Sequence, residues 1–174
     1  MASTLKVNTI QGASNTTTTV KTNGGTDALT IDTSGRILQP AKPAFRAHKS
    51  STQTASGSNE LITWNTTEIN QGNCFGSNVF TAPIAGIYVF SIVALTPNNS
   101  AIEDFKFMYQ KSGGSLTNLV NFRNANASGH ETMGGTMIHN MDANETVGVY
   151  LTSANDAIYG DSDRWTTWCG YLLG

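Results

Sequence analysis

Short runs of alternating apolar and polar residues, with no sustained helical stripe, organise this chain. The clearest extends from Gly86 to Leu95, where Tyr88, Phe90 and Ile92 fall on one side of an extended strand and Ile87, Val89 and Ser91 on the other. Apolar side chains on both sides predict a central strand covered from two directions. Further strand candidates are Phe45 to His48, Glu60 to Thr66, Asn78 to Phe80, Phe105 to Gln110, Thr117 to Arg123, Glu131 to His139, Thr146 to Thr152 and Trp165 to Leu173. Gly, Asn, Ser and Pro punctuate them. So many short strands in about 130 residues predict an all-β domain, an antiparallel jelly-roll sandwich.

The first forty residues are different. Ten of them are Thr, none is aromatic, and pieces such as Thr4 to Ile10 and Ala28 to Asp32 alternate between Gly12, Gly24, Gly25 and Gly35. They predict short strands without the large side chains needed for a core, and isolated hairpins are marginal in water. Residues 1–40 are therefore expected to be a β-rich arm, an anchor or shaft that pairs with sister copies or docks on another protein. Two of the four prolines lie between Gln39 and Pro43, which fixes φ there and marks a linker. The head domain is expected over residues 41–174.

Three motifs in the head carry a resemblance. Phe80, Gly86, Tyr88 and Phe90 stand at the spacing F-x5-G-x-Y-x-F; Met141 to Leu151 reads as a turn and an apolar strand; Trp168 to Leu173 closes with aromatic-x-Gly-aromatic-Leu-Leu. In this order they resemble the globular-head family of the first complement component's q subunit, related to tumour-necrosis-factor-like trimers. Pro43 to Phe45 resembles the family's first strand. Ile92 stands where the family usually has an aromatic residue, and Thr96 to Gly135 matches no motif of it. The resemblance implies a homotrimer, with Phe80, Gly86, Tyr88, Phe90, Ile92 and Tyr171 building the core and the subunit contacts. Covering of both sides of the strand within one subunit is the alternative. Residues 1–10 and 26–37 are similar to leader and shaft segments of bacteriophage tail-fibre and virion-surface proteins. No collagen-like Gly-x-y repeat precedes the head.

Composition narrows the function. Only 13% of residues are charged and the formal net charge is -2, so the surface is rich in hydroxyls and amides and offers no basic stripe for phosphates. Nucleic acid is not an expected partner, and no apolar run is long enough for membrane insertion. Met1 to Ile10 lacks the pattern of a signal peptide. Cys74 and Cys169 are not pairable from spacing alone and read as small buried side chains. The Asn-x-Ser/Thr sequons at Asn15, Asn65, Asn98, Asn126 and Asn144 are what an Asn- and Thr-rich chain produces by chance.

No catalytic constellation stands out. His130 and His139, nine residues apart around Glu131 and two glycines, fit neither a helical zinc pair nor a tight loop pair. No Gly-x-Ser-x-Gly elbow or paired catalytic carboxylates can be singled out, so neither enzyme activity nor a cofactor is expected. Asp156, Asp161 and Asp163 form one acidic cluster, a weak calcium candidate against the plainer reading of a solvated turn. Beside it, Tyr159, Arg164, Trp165 and Trp168 could recognise a sugar through aromatic faces and planar hydrogen-bond partners; the competing reading puts both tryptophans in the core or the interface.

Together these features lead to an expected virion protein, a homotrimeric tail fibre or receptor-binding appendage that assembles in the host cytoplasm and attaches to a host-surface glycan. Residues 1–40 would grip a tail adaptor. A capsid decoration protein is the close alternative, and a complement-like soluble binding module outside any virus is the third.

Overall fold

The computed structural model describes residues 9–12, 16–25, 27–98, 103–124 and 129–174. The proposed leader strand over Thr4 to Ile10 falls largely outside them. The chain divides into two compact units, Met1–Lys42 and Pro43–Gly174.

The first unit is a three-stranded antiparallel meander of β1 (Thr18–Lys21), β2 (Asp27–Ile31) and β3 (Ile37–Leu38). Only β2 matches a strand read from the sequence. None of its described residues is buried, as expected from a segment without large side chains. Polar turn chemistry holds it instead. Asp32 accepts from the Ser34 and Arg36 amides, both at 2.9 Å, and from Arg36 Nε at 2.7 Å, while Gly35 takes the positive φ of 79° that the turn needs.

The second unit contains thirteen strands and, among the described residues, no helix. They are β4 (Ala44–His48), β5 (Gln53–Thr54), β6 (Glu60–Leu61), β7 (Thr66–Gln71), β8 (Phe75–Gly76), β9 (Val79–Thr81), β10 (Gly86–Leu95), β11 (Asp104–Gln110), β12 (Leu116–Arg123), β13 (Thr132–Met141), β14 (Thr146–Leu151), β15 (Ala157–Ile158) and β16 (Thr167–Leu172). One sheet has the order β13-β10-β16-β4-β7; the other runs β12-β11-β14-β9-β8, with β6 also paired to β14. All pairings are antiparallel. This is the jelly-roll sandwich that the strand pattern predicts. A separate two-stranded pair, β15-β5, completes the fold.

Two sequence readings need correction. Glu60 to Thr66 is not one strand: β6 ends at Leu61, and Trp64 takes its amide to Asn78 Oδ1 at 2.8 Å, so the chain bends before β7. The last strand starts at Thr167, not Trp165, because Thr166 is tied by its hydroxyl to the Tyr159 carbonyl at 2.6 Å and accepts from the Leu95 amide at 3.1 Å.

The core lies between the sheets and is largely aromatic. Phe45, Phe75, Phe80, Tyr88, Phe90, Phe107 and Trp168 are buried together. Phe45 stacks on Phe75 at 4.7 Å between centroids and meets Trp168 edge-on at 4.7 Å; Phe80 meets Phe90 edge-on at 5.1 Å. Each such ring buries about 150–250 Å², and favourable ring geometry adds about 0.5–1.5 kcal/mol per pair. The closing motif needs its glycine for this packing. Gly170 is opposite Phe90 on β10 and Phe45 on β4, and a Cβ there would come 2.6 Å from Phe90 Cδ1 and 2.8 Å from Phe45 Cε1.

Lys49 sits against this scaffold fully buried. Its ammonium donates to Thr63 O at 2.9 Å, Gln53 Oε1 at 3.1 Å and Thr63 Oγ1 at 3.3 Å, and burial pushes its pKa down to about 8.

Replacing Gly170 with Ala is expected to destabilise the head by about 1–3 kcal/mol, the cost of overpacking a close-packed core. Gly57→Ala, at a site with no heavy atom within 4 Å, is expected to stay within about 0.5 kcal/mol of wild type. Denaturant melts of the two variants check this; equal midpoints would show that the rings move aside freely.

Candidate functional site

The outer side of the five-stranded sheet follows from the alternation in β10. Tyr88, Phe90, Ile92 and Ala94 point into the core, so Ile87, Val89, Ser91 and Val93 point out. Register places Ile138 of β13 and Tyr171 of β16 on either side of Val89, and Thr136 and Cys169 on either side of Ser91. Ile138 is 64% exposed, Val93 49%, Tyr171 45% and Ile87 42%. These exposed apolar side chains, interrupted by Ser91 and Thr136, make this side a candidate interaction surface. Among the described residues of this unit, no strand packs over β10 from this side. Thr136 donates to Ser91 Oγ at 3.0 Å in its middle.

Phe80, Tyr88, Phe90 and Ile92 are core residues, with the Tyr88 hydroxyl donating to Ile84 O at 2.7 Å. Gly86 lies at the start of β10, where a Cβ would meet Leu172 Cδ1 at 2.7 Å. Of the six residues expected to build core and contacts, only Tyr171 reaches the exposed face. Cys74 and Cys169 are free thiols; Cys74 is buried and Cys169 half-buried, and burial raises the pKa of both.

Towards β7 the patch gives way to an ion cluster. Glu68 receives Arg164 Nε at 2.5 Å, and Arg46 Nη1 lies 3.2 Å from its other oxygen. His48 Nδ1 is 3.4 Å away without hydrogen-bond geometry. The Arg164 hydrogen bond, followed by the charges of Arg46, Arg164 and His48, holds the Glu68 carboxyl below the usual carboxylate range despite partial desolvation. Arg164 sits in a turn with φ 63°, and its guanidinium is engaged by Glu68.

The neighbouring residues of the expected sugar site separate. Trp165 precedes the strand and is 52% exposed, whereas Trp168 is fully buried in the core. Tyr159 donates from its hydroxyl to Asp161 Oδ2 at 2.9 Å, which raises its pKa, and its ring meets His130 edge-on at 4.9 Å. Asp161 also accepts from the Asp163 amide at 2.8 Å, capping the turn. Asp156 is buried and accepts from the Ser153 amide at 2.6 Å. Among the described residues no three His, Cys, Asp or Glu side chains come together as a metal-binding group, so the weak calcium candidate does not assemble.

A family model described as the C1q domain matches residues 44–173. The chain belongs to the C1q domain family. Solved structures with the same fold include the globular domain of zebrafish complement 1qA, with 16% identity, 76% of this chain and 98% of that one covered, and a TM-score of 0.61. Murine APRIL gives 13% identity, coverages of 76% and 99%, and a TM-score of 0.61. Eiger TNF from S. frugiperda gives 7%, coverages of 77% and 94%, and 0.64. No curated protein matches. In this C1q domain the three motifs are structural: Phe80, Tyr88, Phe90 and Trp168 fill the sandwich, and Gly170 makes room for them.

Sequence reasoning missed Glu68, because β7 has Ile69 as its one apolar residue and carries no alternation. Charge complementarity with Arg46 and Arg164 was visible only as composition. Because the folded Glu68 carboxyl titrates below its ordinary 4.5, its stabilisation is complete above that pH and is lost as pH falls through the folded value. Glu68→Gln is therefore expected to lower the melting temperature at pH 7, with the gap to wild type closing as pH falls below 4.5 and through the lowered folded value. A gap unchanged from pH 7 to pH 3 would show that the ion cluster does not contribute through charge.

Proposed function

We propose that three copies of this chain associate through the outer side of the five-stranded sheet to form the binding head of a bacteriophage appendage, a short tail fibre that attaches to a host-surface glycan. The observation that carries this reading is the uncovered apolar patch of Ile87, Val93, Ile138 and Tyr171 on a C1q domain. A second copy supplies the outer cover that the described residues of the head do not give the two-sided apolar strand. Relatives named for complement and for tumour necrosis factor favour binding over catalysis.

The leader and shaft similarity of residues 1–10 and 26–37 supports a virion location. So does the meander of the first unit, which has no buried residue among those described and gains stability from partners. Residues 1–40 would then grip a tail adaptor. Tyr159 and Trp165 form the candidate receptor surface, since both present aromatic area beside hydroxyls and carboxylates. Arg164 contributes by holding its turn against Glu68.

Light scattering is expected to give about three times the 18.5 kDa chain mass, and Ile138→Arg to reduce it towards one chain while β-sheet circular dichroism is kept. A stable monomer at micromolar concentration would overturn the trimer. Antibody to the head should label one end of the intact particle; label spread over the shell would replace the tail reading with capsid decoration. Trp165→Ala should lower host adsorption without changing the mass.

A further inference from the structure

The opposite sheet carries a second surface feature, which the proposed attachment role does not use. A cleft of about 240 Å³ is lined by Asp104, Lys106, Asn118, Asn121, Phe122, Arg123 and Thr152. Register explains its composition. Phe105 and Phe107 of β11 point into the core, so Asp104 and Lys106 face outward; Arg123 pairs with Asp104 and Asn121 with Lys106. Phe122 turns its ring toward Phe105 at 4.8 Å.

Asn118 joins this face through an irregularity. Asn118 and Asn121 are three positions apart and would lie on opposite sides of a regular strand. The pairing shifts there: Val120 opposes Phe107 and Asn118 opposes Met108, leaving Leu119 as an extra residue. Leu119 and Val120 both pack toward the core, so the bulge brings the two amides to the same outer face. Bulges re-aim side chains in this way next to functional sites.

The charged groups add a second, independent observation. Lys106 is only 7% exposed, yet among the described residues its ammonium has no ion-pair or hydrogen-bond partner. Its stem is packed and its ammonium reaches solvent at the cleft, where a counter-group can meet it. Asp104 Oδ1, by contrast, is buried; Arg123 Nε lies 3.3 Å from it without hydrogen-bond geometry. The cleft therefore offers an ammonium, a guanidinium, two amides, a hydroxyl and one carboxylate acceptor.

We propose that this cleft binds the carboxylate-bearing sugar residue of an acidic glycan. The carboxylate meets Lys106, with Arg123 at the rim. Asn118 and Asn121 both donate and accept hydrogen bonds, which matches vicinal sugar hydroxyls, and Asp104 and Thr152 serve a further hydroxyl. A simple inorganic anion would be repelled by Asp104 and would leave the amide acceptors unused. The volume falls below the roughly 300–1,000 Å³ of drug-sized pockets, so one sugar residue is the fitting unit. This inference does not depend on which particle carries the head.

Titration calorimetry of the full chain with glucuronic acid, glucose and inorganic phosphate tests it. Glucuronic acid is expected to bind with a dissociation constant of order millimolar, and glucose and phosphate at least about tenfold more weakly. Lys106→Met keeps the packed stem and removes the charge; it should weaken glucuronic acid about tenfold. Asn121→Ala, at an exposed position, should weaken it several-fold and covers the case in which the lysine variant misfolds. Trp165→Ala should bind as wild type. Absence of binding at tens of millimolar glucuronic acid, phosphate binding as tightly as the sugar acid, unchanged affinity in either folded cleft variant, or loss in Trp165→Ala would each overturn the proposal.

Discussion

Everything in the head domain depends on one close approach, in which the rings of Phe45 and Phe90 fold over Gly170 from the two strands that flank it. A methyl group at that point would occupy the space of both rings. With hydrogen in its place, β4, β16 and β10 can lie side by side while their largest side chains share one layer with Trp168 and Phe80. The aromatic layer fixes which side of each strand is inner. The outer residues of both sheets, and so the apolar patch and the polar cleft, are positioned by that choice.

Strands that combine alternation with large side chains were legible in the sequence. Gly86 to Leu95 could be read to its ends because every second residue is a core residue. Short or largely polar strands were not. Thr66 to Gln71 has no buried member, and Gln53, Thr54, Ala157 and Ile158 form ladders only because distant loops meet. Trp165 and Trp168 looked equivalent by residue type, and only the strand start at Thr167 separates them. The site chemistry was harder still. Lys49 and Lys106 are both buried, one among oxygen acceptors and one beside a cleft, whereas lysine in a sequence ordinarily reads as solvated surface. The bulge at Leu119 is a property of pairing, and no single strand reveals it.

The two sheets differ in what their outer sides can do. The five-stranded sheet presents Ile87, Val93, Ile138 and Tyr171 around Ser91 and Thr136, the surface proposed to meet another copy. The other sheet presents Lys106 among amides, a surface fit for a hydrated, hydrogen-bonding ligand. Between them the core contacts are shared, so each surface can change in sequence as long as the inner side chains are kept. Ionic groups mark both surfaces: Glu68 with its arginines borders the first, and Asp104, Lys106 and Arg123 line the second.

The place of β16 in the five-stranded sheet sets the order of events when the chain is made. It is the last strand, yet it lies in the centre, between β10 and β4, with Trp168 at the heart of the core. Strands made much earlier must wait for it with their apolar sides open, since no earlier segment can fill that gap. Such long-range closure is slow compared with local pairing. A nascent chain therefore acquires its inner layer only after residues 167–172 have left the ribosome, and the surface that would meet sister chains becomes defined only then.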